Sequence, residues 1–342
     1  MKKLKNVIYI LTPNSYVHYK NGNIVIEIKD SENKQYIPIH NIESIVFFAQ
    51  NNTITSHFLK ESLYNNISIY YVDSYNNFIG KFQGPVNGNV LLRTKQYKMS
   101  ETEEGINIAR NIIYGKILNS KLFLQRAGRE REEKKAQKLT EAVKIISEYT
   151  SNLKDAENVS SIIGIEGCIA SVYFSVFEQM QTVKEDSMLF EKRTKHPPRN
   201  RMNSLLSFIY TLCKIDCETA IECVGLDPQV GFLHSLRSGR PSLALDLMEE
   251  LRAPLCDRFA ISLTNKKQIK ADDFKEENGR FLLTDKARKM ILQNWQNRKK
   301  EEIIHPYLDE KIQIGLIPYA QAQLLASHIR GDINEYPPFI WR

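Results

Sequence analysis

Between residues 231 and 252 the chain brings together side-chain types that phosphodiester chemistry uses. The stretch Gly231-Phe232-Leu233-His234-Ser235-Leu236-Arg237-Ser238-Gly239-Arg240-Pro241-Ser242-Leu243-Ala244-Leu245-Asp246-Leu247-Met248-Glu249-Glu250-Leu251-Arg252 sets one histidine ahead of three carboxylates, with arginines on both sides. Imidazole and carboxylate are the ligands that a divalent cation uses in phosphodiester chemistry, and arginine grips phosphate. Such a site would work on nucleic acid. Asp246 and Glu249 are three residues apart and share a helical face, with Glu250 one turn beyond Asp246. Leu243, Leu247 and Leu251 recur every four residues and make the buried stripe of that helix. Pro241 suits its first turn, and Pro254 removes a backbone bond to the Glu250 carbonyl, so the helix kinks or stops there. Alone, the stretch also describes a solvated acidic face with a capping histidine. Glu166, Arg237 and Arg240 shift the balance toward a site.

Glu166 lies in Ser161-Ile162-Ile163-Gly164-Ile165-Glu166-Gly167-Cys168-Ile169-Ala170. Helical spacing puts Ile162, Ile169 and Tyr173 on its side, so the carboxylate lies on an apolar face. There it needs a cation, a proton or a partner. The plain alternative is a buried glutamate paired with an arginine. Gly164 and Gly167 each weaken a helix by about 1 kcal/mol relative to alanine, and their size admits a close neighbour. Between the two stretches runs Lys192-Arg193-Thr194-Lys195-His196-Pro197-Pro198-Arg199-Asn200-Arg201-Met202-Asn203, which holds five basic residues and no acid. Pro197-Pro198 stiffens it, so its cations meet phosphates with less entropy to lose. A solvated basic loop is the alternative. No Gly-x-x-x-x-Gly-Lys-Ser/Thr or His-Glu-x-x-His occurs, which removes support for nucleotide hydrolysis and zinc peptidase chemistry.

The elements that must position these residues divide the chain in two. Its 342 residues, 42% apolar and 25% charged, suit a soluble globular protein. The net charge of +7 permits an acidic partner without proving one. Residues 1–84 read as strands: Val7–Leu11, Gln35–Ile39, Ser44–Phe48, Ser68–Val72, Phe78–Phe82, and a run in which Ile24, Ile26 and Ile28 alternate with Val25, Glu27 and Lys29. Asn21-Gly22 supplies hairpin chemistry, and Thr55–Tyr64 a short helix. Gly84-Pro85-Val86-Asn87-Gly88 marks the break. The predicted fold class is α+β: a small, mainly antiparallel β domain (1–84), a linker (85–100) and a larger all-α catalytic domain (101–342). Within the last, Ile106–Arg126 is an amphipathic helix, Gly279–Leu283 part of a small hairpin, and Thr284 caps a helix over Asp285–Glu301. The five cysteines are odd in number and none forms a Cys-x-x-Cys pair, so structural zinc and a disulfide framework are not expected. No apolar run reaches the length of a membrane span. A reducing, cytoplasmic location follows.

Four ordered motifs carry a resemblance. They are Ile165-Glu166-Gly167; His196-Pro197-Pro198-Arg199-Asn200-Arg201-Met202-Asn203 with the run to Leu212; Gly225-Leu226-Asp227-Pro228-Gln229-Val230-Gly231-Phe232-Leu233-His234; and Gly239–Arg252. In them the chain resembles the CRISPR-associated integrase of spacer acquisition (Cas-one) over nearly its full length. The ending Tyr336-Pro337-Pro338-Phe339 is similar to the type I-C branch. The resemblance implies a metal site of Glu166, His234 and Glu249 holding Mg²⁺ or Mn²⁺, with Asp246 as a supporting acid. It implies that Arg193, Lys195, Arg199, Arg201, Asn203, Arg237 and Arg240 hold DNA. Asn200 departs from the family pattern, which has aspartate there more often. The implied reaction is transesterification: the 3′-hydroxyl of a captured fragment attacks a phosphodiester of the CRISPR repeat, and the same site cleaves branched DNA. A homodimer joined through the β domains, and a complex with the small second adaptation protein (Cas-two), complete the expectation. Two other functions share some of these features. A metal-dependent helical phosphohydrolase of small nucleotides needs the histidine and carboxylates but no basic Pro-Pro loop. A non-catalytic DNA scaffold needs the basic residues but not Glu166.

Overall fold

The computed structural model describes residues 3–28, 34–48, 51–73, 78–85, 89–182, 188–194 and 197–341. In chain order the elements are β1 (Asn6–Ile10), β2 (Ser15–Lys20), β3 (Asn23–Ile28), β4 (Lys34–Pro38), β5 (Ile42–Phe47), β6 (Thr53–Ile54), α1 (Ser56–Tyr64), β7 (Ser68–Val72), β8 (Phe78–Phe82), α2 (Val90–Met99), α3 (Glu103–Gly128), α4 (Glu133–Asn152), α5 (Val159–Ser175), α6 (Arg201–Cys223), α7 (Ser242–Leu251), α8 (Arg258–Asn265), β9 (Phe274–Glu277), β10 (Arg280–Leu283), α9 (Asp285–Lys299), β11 (Glu302–Ile304), β12 (Lys311–Gln313) and α10 (Ile317–Arg330). They form two compact units. One comprises Met1–Asn87, Asp285–Glu301 and Gln313–Leu316; the other comprises Gly88–Thr284, Glu302–Ile312 and Ile317–Arg342.

The β unit holds two four-stranded sheets, ordered β1-β5-β7-β8 and β4-β3-β2-β6. Asn21 and Gly22 both take positive φ, the type I′ geometry that lets β2 and β3 pair as a tight hairpin. Antiparallel pairing joins β2, β3 and β4, and also β7 and β8. The pairs β1–β5, β5–β7 and β2–β6 are parallel, so the sheets are mixed. Parallel neighbours need a crossover, and the β2–β4 meander and α1 supply two of them. Alternation along a strand does not reveal its partner's direction. Ile8, Ile10, Ile45, Phe47 and Ile69 of one sheet share a core with Val17, Ile24 and Ile26 of the other and with Phe58 of α1. Val25 is buried as well, so the alternation read in β3 does not leave that residue facing water.

Helix α9 belongs to this unit, whereas the sequence boundaries placed it in the helical domain. Its Ala287, Ile291, Leu292 and Trp295 are buried, and Gln296 reaches the Tyr9 hydroxyl of β1 at 3.1 Å. The stretch assigned to a linker also differs. Residues 90–99 are α2, whose first turn is capped by Asn89. Its buried Gln96 bonds Asp227 and Val230 of the 225–234 loop at 2.8–2.9 Å. The helical unit further contains the β9–β10 pair, together with β11 and the first two residues of β12, so it is not wholly α.

Helix α3 packs against α4, α5 and α7. Its 26 residues span about 39 Å. Ile108, Ile112, Ile113, Ile117 and Leu124 form its buried face. At Gly115 a Cβ would lie 2.7 Å from the Pro338 side chain and 3.3 Å from Glu250, so glycine permits close packing of the C-terminal tail and α7. Helix α7 ends at Leu251, and a π-helical turn, Arg252–Asp257, carries the chain into α8. This is the break expected from Pro254. The Glu250 carbonyl, which Pro254 cannot serve, accepts the Asn119 amide at 2.8 Å. Asn119 also binds Phe339 and Trp341 of the irregular tail, at 2.7 and 2.8 Å.

Candidate active site

Buried stripes on α3, α5 and α7 turn polar side chains toward one place. On α7 the leucines 243, 247 and 251 pin the helix, and Asp246, Glu249 and Glu250 are buried too. That excludes a solvated acidic face. Each acid has its own cause for burial. Glu249 accepts Lys116 Nζ at 2.6 Å and Arg252 at 2.8 Å. Burial alone would raise its pKa, but the charges of Arg252, Lys116 and His234 lower it to about 2. Glu250 turns to the tail and accepts the Tyr336 hydroxyl at 2.5 Å, Phe339 N at 2.9 Å and Gln321 at 3.0 Å. Against those bonds, burial raises its carboxyl to about 7.

Asp246 is fully buried and carries the histidine loop. Its two oxygens accept the backbone N–H groups of Phe232, Leu233 and His234 at 2.6–2.9 Å. His234 Nδ1 adds a fourth bond at 2.6 Å. A Cβ at position 231 would sit 2.5 Å from the Asp246 carboxylate, so only glycine lets the loop wrap it. With Nδ1 held by the carboxylate, His234 Nε2 faces Glu249 Oε1 at 3.8 Å. A carboxylate on Nδ1 is the usual device for fixing a histidine whose Nε2 works on an ion or substrate.

Glu166 stands on α5, whose N-terminus is capped by Asn158. Ile162, Ile169 and Tyr173 are buried beside it, while the carboxylate keeps 24% side-chain exposure. Its partner is Lys116 of α3, not an arginine. One ammonium thus joins Glu166 and Glu249. Gly164 and Gly167 meet no atom within 4 Å of an added Cβ, so that side of α5 is open.

Beyond Glu166 and Lys116, a pocket is lined by Tyr173, Arg193, Tyr210, Arg252 and Asp257. The Arg193 and Arg252 guanidinium carbons each lie 5.3 Å from the Tyr210 ring centre. Asp257 accepts the Tyr210 hydroxyl at 2.6 Å and that of Tyr173 at 2.9 Å. Burial raises the Asp257 carboxyl to about 6, opposed by those hydroxyls and the two arginines.

The expected DNA-holding residues part company. Asn203 is buried: its amide accepts from Arg193 and Thr194 N and donates to Lys192 O, at 2.7–3.1 Å. It fastens the loop and has no face for DNA. Arg193 is half-buried, with its pKa lowered by burial, and belongs to the pocket. Arg201 lies over the Phe281 ring at 4.6 Å. Arg199 and Arg237 are exposed and Arg240 half-buried. Lys195 lies outside the described residues. Asn200, where the family pattern has aspartate more often, caps α6 by accepting Asn203 N at 2.8 Å, the task an aspartate performs equally.

Lys116, Arg252, Tyr173, Tyr210 and Asp257 were not singled out from sequence. Lys116 left one signal: a lone cation one turn beyond Ile112 and Ile113, on an otherwise apolar helix face. The donor set of two carboxylates and an imidazole suits Mg²⁺ or Mn²⁺, and the Lys116 ammonium is a cation already accepted between the two carboxylates. As placed, no three His, Cys, Asp or Glu side chains among the described residues converge to hold an ion. No helix among them is long and apolar enough to cross a membrane.

A family model described as CRISPR associated protein Cas1 matches residues 8–297. The CRISPR-associated endonuclease Cas1 2 of Rhodospirillum rubrum is 42% identical over 348 residues, covering 100% of both chains. Among solved structures, a Cas1 protein from Thermotoga maritima superposes with a TM-score of 0.82 at 24% identity, covering 96% of this chain and 97% of that one. A casposase bound to its integration product gives 0.84 at 20% identity, covering 99% and 95%. At these identities the two structures attest the fold.

Proposed function

Since this chain belongs to the Cas1 family of CRISPR-associated proteins, we propose that it is a DNA nuclease and integrase that inserts captured fragments into a CRISPR array. The 3′-oxygen of the fragment bonds a repeat phosphorus and gives up its proton to solvent. The bond from that phosphorus to the 3′-oxygen of the cut target strand breaks, and that oxygen takes a proton from solvent and leaves as a 3′-hydroxyl. One phosphodiester replaces another, so no nucleoside triphosphate is consumed. The same site cleaves branched DNA.

The observation that supports this best is that Glu166 of α5, distant in sequence, is brought to Glu249 and His234 of the 231–252 stretch. Glu166 and Glu249 share one ammonium, and Asp246 turns His234 Nε2 toward Glu249. Glu166, His234 and Glu249 are the residues that would hold Mg²⁺ or Mn²⁺, and a cation there would polarise a phosphoryl oxygen and favour charge on the attacking and leaving oxygens. Arg252 and Arg193, steadied by the Tyr210 ring, offer guanidinium edges to phosphate. Arg199, Arg237 and Arg240 track the DNA backbone farther out. None of these residues lies in the β unit. Its task in this reading is to pair two protomers, so that two sites act on the two ends of one fragment. The small second adaptation protein, Cas2, is the expected partner.

The test is cleavage of a branched DNA with Mn²⁺, run beside free nucleotides. Branched DNA should be cut and nucleotides left intact, and Glu166→Ala should stop the cutting. Nucleotide hydrolysis without DNA cleavage would favour a small-molecule phosphohydrolase. DNA binding with no cleavage by the parent protein would favour a scaffold.

A further inference from the structure

Lys116 bridges the two carboxylates of the candidate site. Its ammonium donates to Glu166 and, at 2.6 Å, to Glu249, and its side chain is 11% exposed. Arg252 takes the other oxygen of Glu249 at 2.8 Å. The two carboxylates are therefore neutralised by the chain's own cations. Without Lys116 they would repel across a partly buried site. An oxygen that accepts an ammonium proton at hydrogen-bond distance cannot give the same lone pair to an ion, and a divalent cation close to the ammonium would be repelled by it.

We propose that Lys116 is a built-in counter-ion that competes with the divalent cation for Glu166 and Glu249. It holds the two carboxylates together in the unloaded protein and must release both as the ion enters. The inference rests on the assignment of Glu166 and Glu249 as ligands. Lys116 lines one pocket with Arg193 and Arg252, so in this proposal a DNA phosphate entering that pocket takes the released ammonium. Phosphate and divalent ion then favour each other's binding, because each relieves the same contact.

Mn²⁺ affinity, measured by electron paramagnetic resonance on the full-length protein without turnover, tests this. Lys116→Met removes the charge and keeps the bulk. Lys116→Gln keeps a donor and guards against a fold too weak to study. Both variants should bind Mn²⁺ at least about tenfold more tightly than the parent, because a repelling unit charge is gone. Adding an uncleavable DNA duplex should tighten Mn²⁺ binding by the parent and have little effect on the variants. Affinity equal to or weaker than the parent's in both variants would overturn the proposal. Glu166→Gln serves as the control for the underlying assignment. If it binds Mn²⁺ as the parent does, the ligand assignment fails, whatever the lysine variants show.

Discussion

Asp257 shows how far a single residue can be removed from the chemistry and still govern the site. It anchors the hydroxyls of Tyr173 and Tyr210, and the Tyr210 ring steadies Arg193 and Arg252. Burial raises its carboxyl from 3.8 to about 6, so between those values the folded chain keeps a proton that the unfolded chain has lost. Stability contributed by this group is therefore present below about pH 4 and falls as pH rises to about 6, by roughly 3 kcal/mol. Glu249 acts the other way, since its depressed carboxyl loses stability only as pH falls from about 4.5 toward 2. Denaturant unfolding of Asp257→Asn across pH 4–6 should show this fall flattened. An unchanged slope would mean that the Asp257 carboxyl does not carry it. The sequence offered no sign of this residue, because an aspartate becomes a tyrosine anchor only when α5 and α6 bring two hydroxyls to it.

At the scale of elements, the 225–234 loop owes its shape to α7. Four donors of the loop converge on one buried carboxylate, and Gly231 makes room for it. Asp246 is thus more than an auxiliary acid. Asp246→Ala leaves three backbone N–H groups without their acceptor and frees the His234 ring. We expect a loss of about 3–5 kcal/mol in chemical denaturation, together with loss of DNA joining. A variant as stable as the parent would show that the loop holds itself. Elements were largely legible in sequence: the leucine stripe of α7, the break at Pro254, the Asn21-Gly22 hairpin and α1 follow from local rules that need no partner. The role of Lys116 was not legible, because it acts through Glu166 and Glu249, far along the chain. The Asn203 tether was not legible either, because the loop it fastens, residues 192–194, is nearby but irregular and follows no periodic rule. The basic loop shows the same limit. Its composition suggested a row of DNA contacts, yet packing turned Asn203 inward and Arg193 into the pocket.

For the whole molecule, the return of α9 to the β unit changes how the chain can be divided. Residues 1–84 read as a domain in sequence, but the unit also includes Asp285–Glu301 and Gln313–Leu316. No periodicity in a helix tells which of two cores it joins. A fragment of residues 1–87 keeps the β1–β5 pairing but lacks α9, which packs against β1, and should not give a cooperative thermal transition. A fragment starting at residue 88 exposes the apolar face of α9 and should aggregate. The full-length chain, with its β unit intact, should be a dimer at micromolar concentration in light scattering. A monomer there would remove the role assigned to the β unit.

The central claim is that Glu166, His234 and Glu249 form one site that joins DNA strands. It is tested most directly by strand transfer of a fragment bearing a free 3′-hydroxyl onto a repeat duplex, in Mn²⁺, with the parent and with Glu166→Ala, His234→Ala and Glu249→Ala. Circular dichroism confirms the fold of each. The account expects joining by the parent and a loss of at least about a hundredfold in every variant, because each removes one ligand from a site with few. Joining at the parent's rate in any folded variant would contradict it.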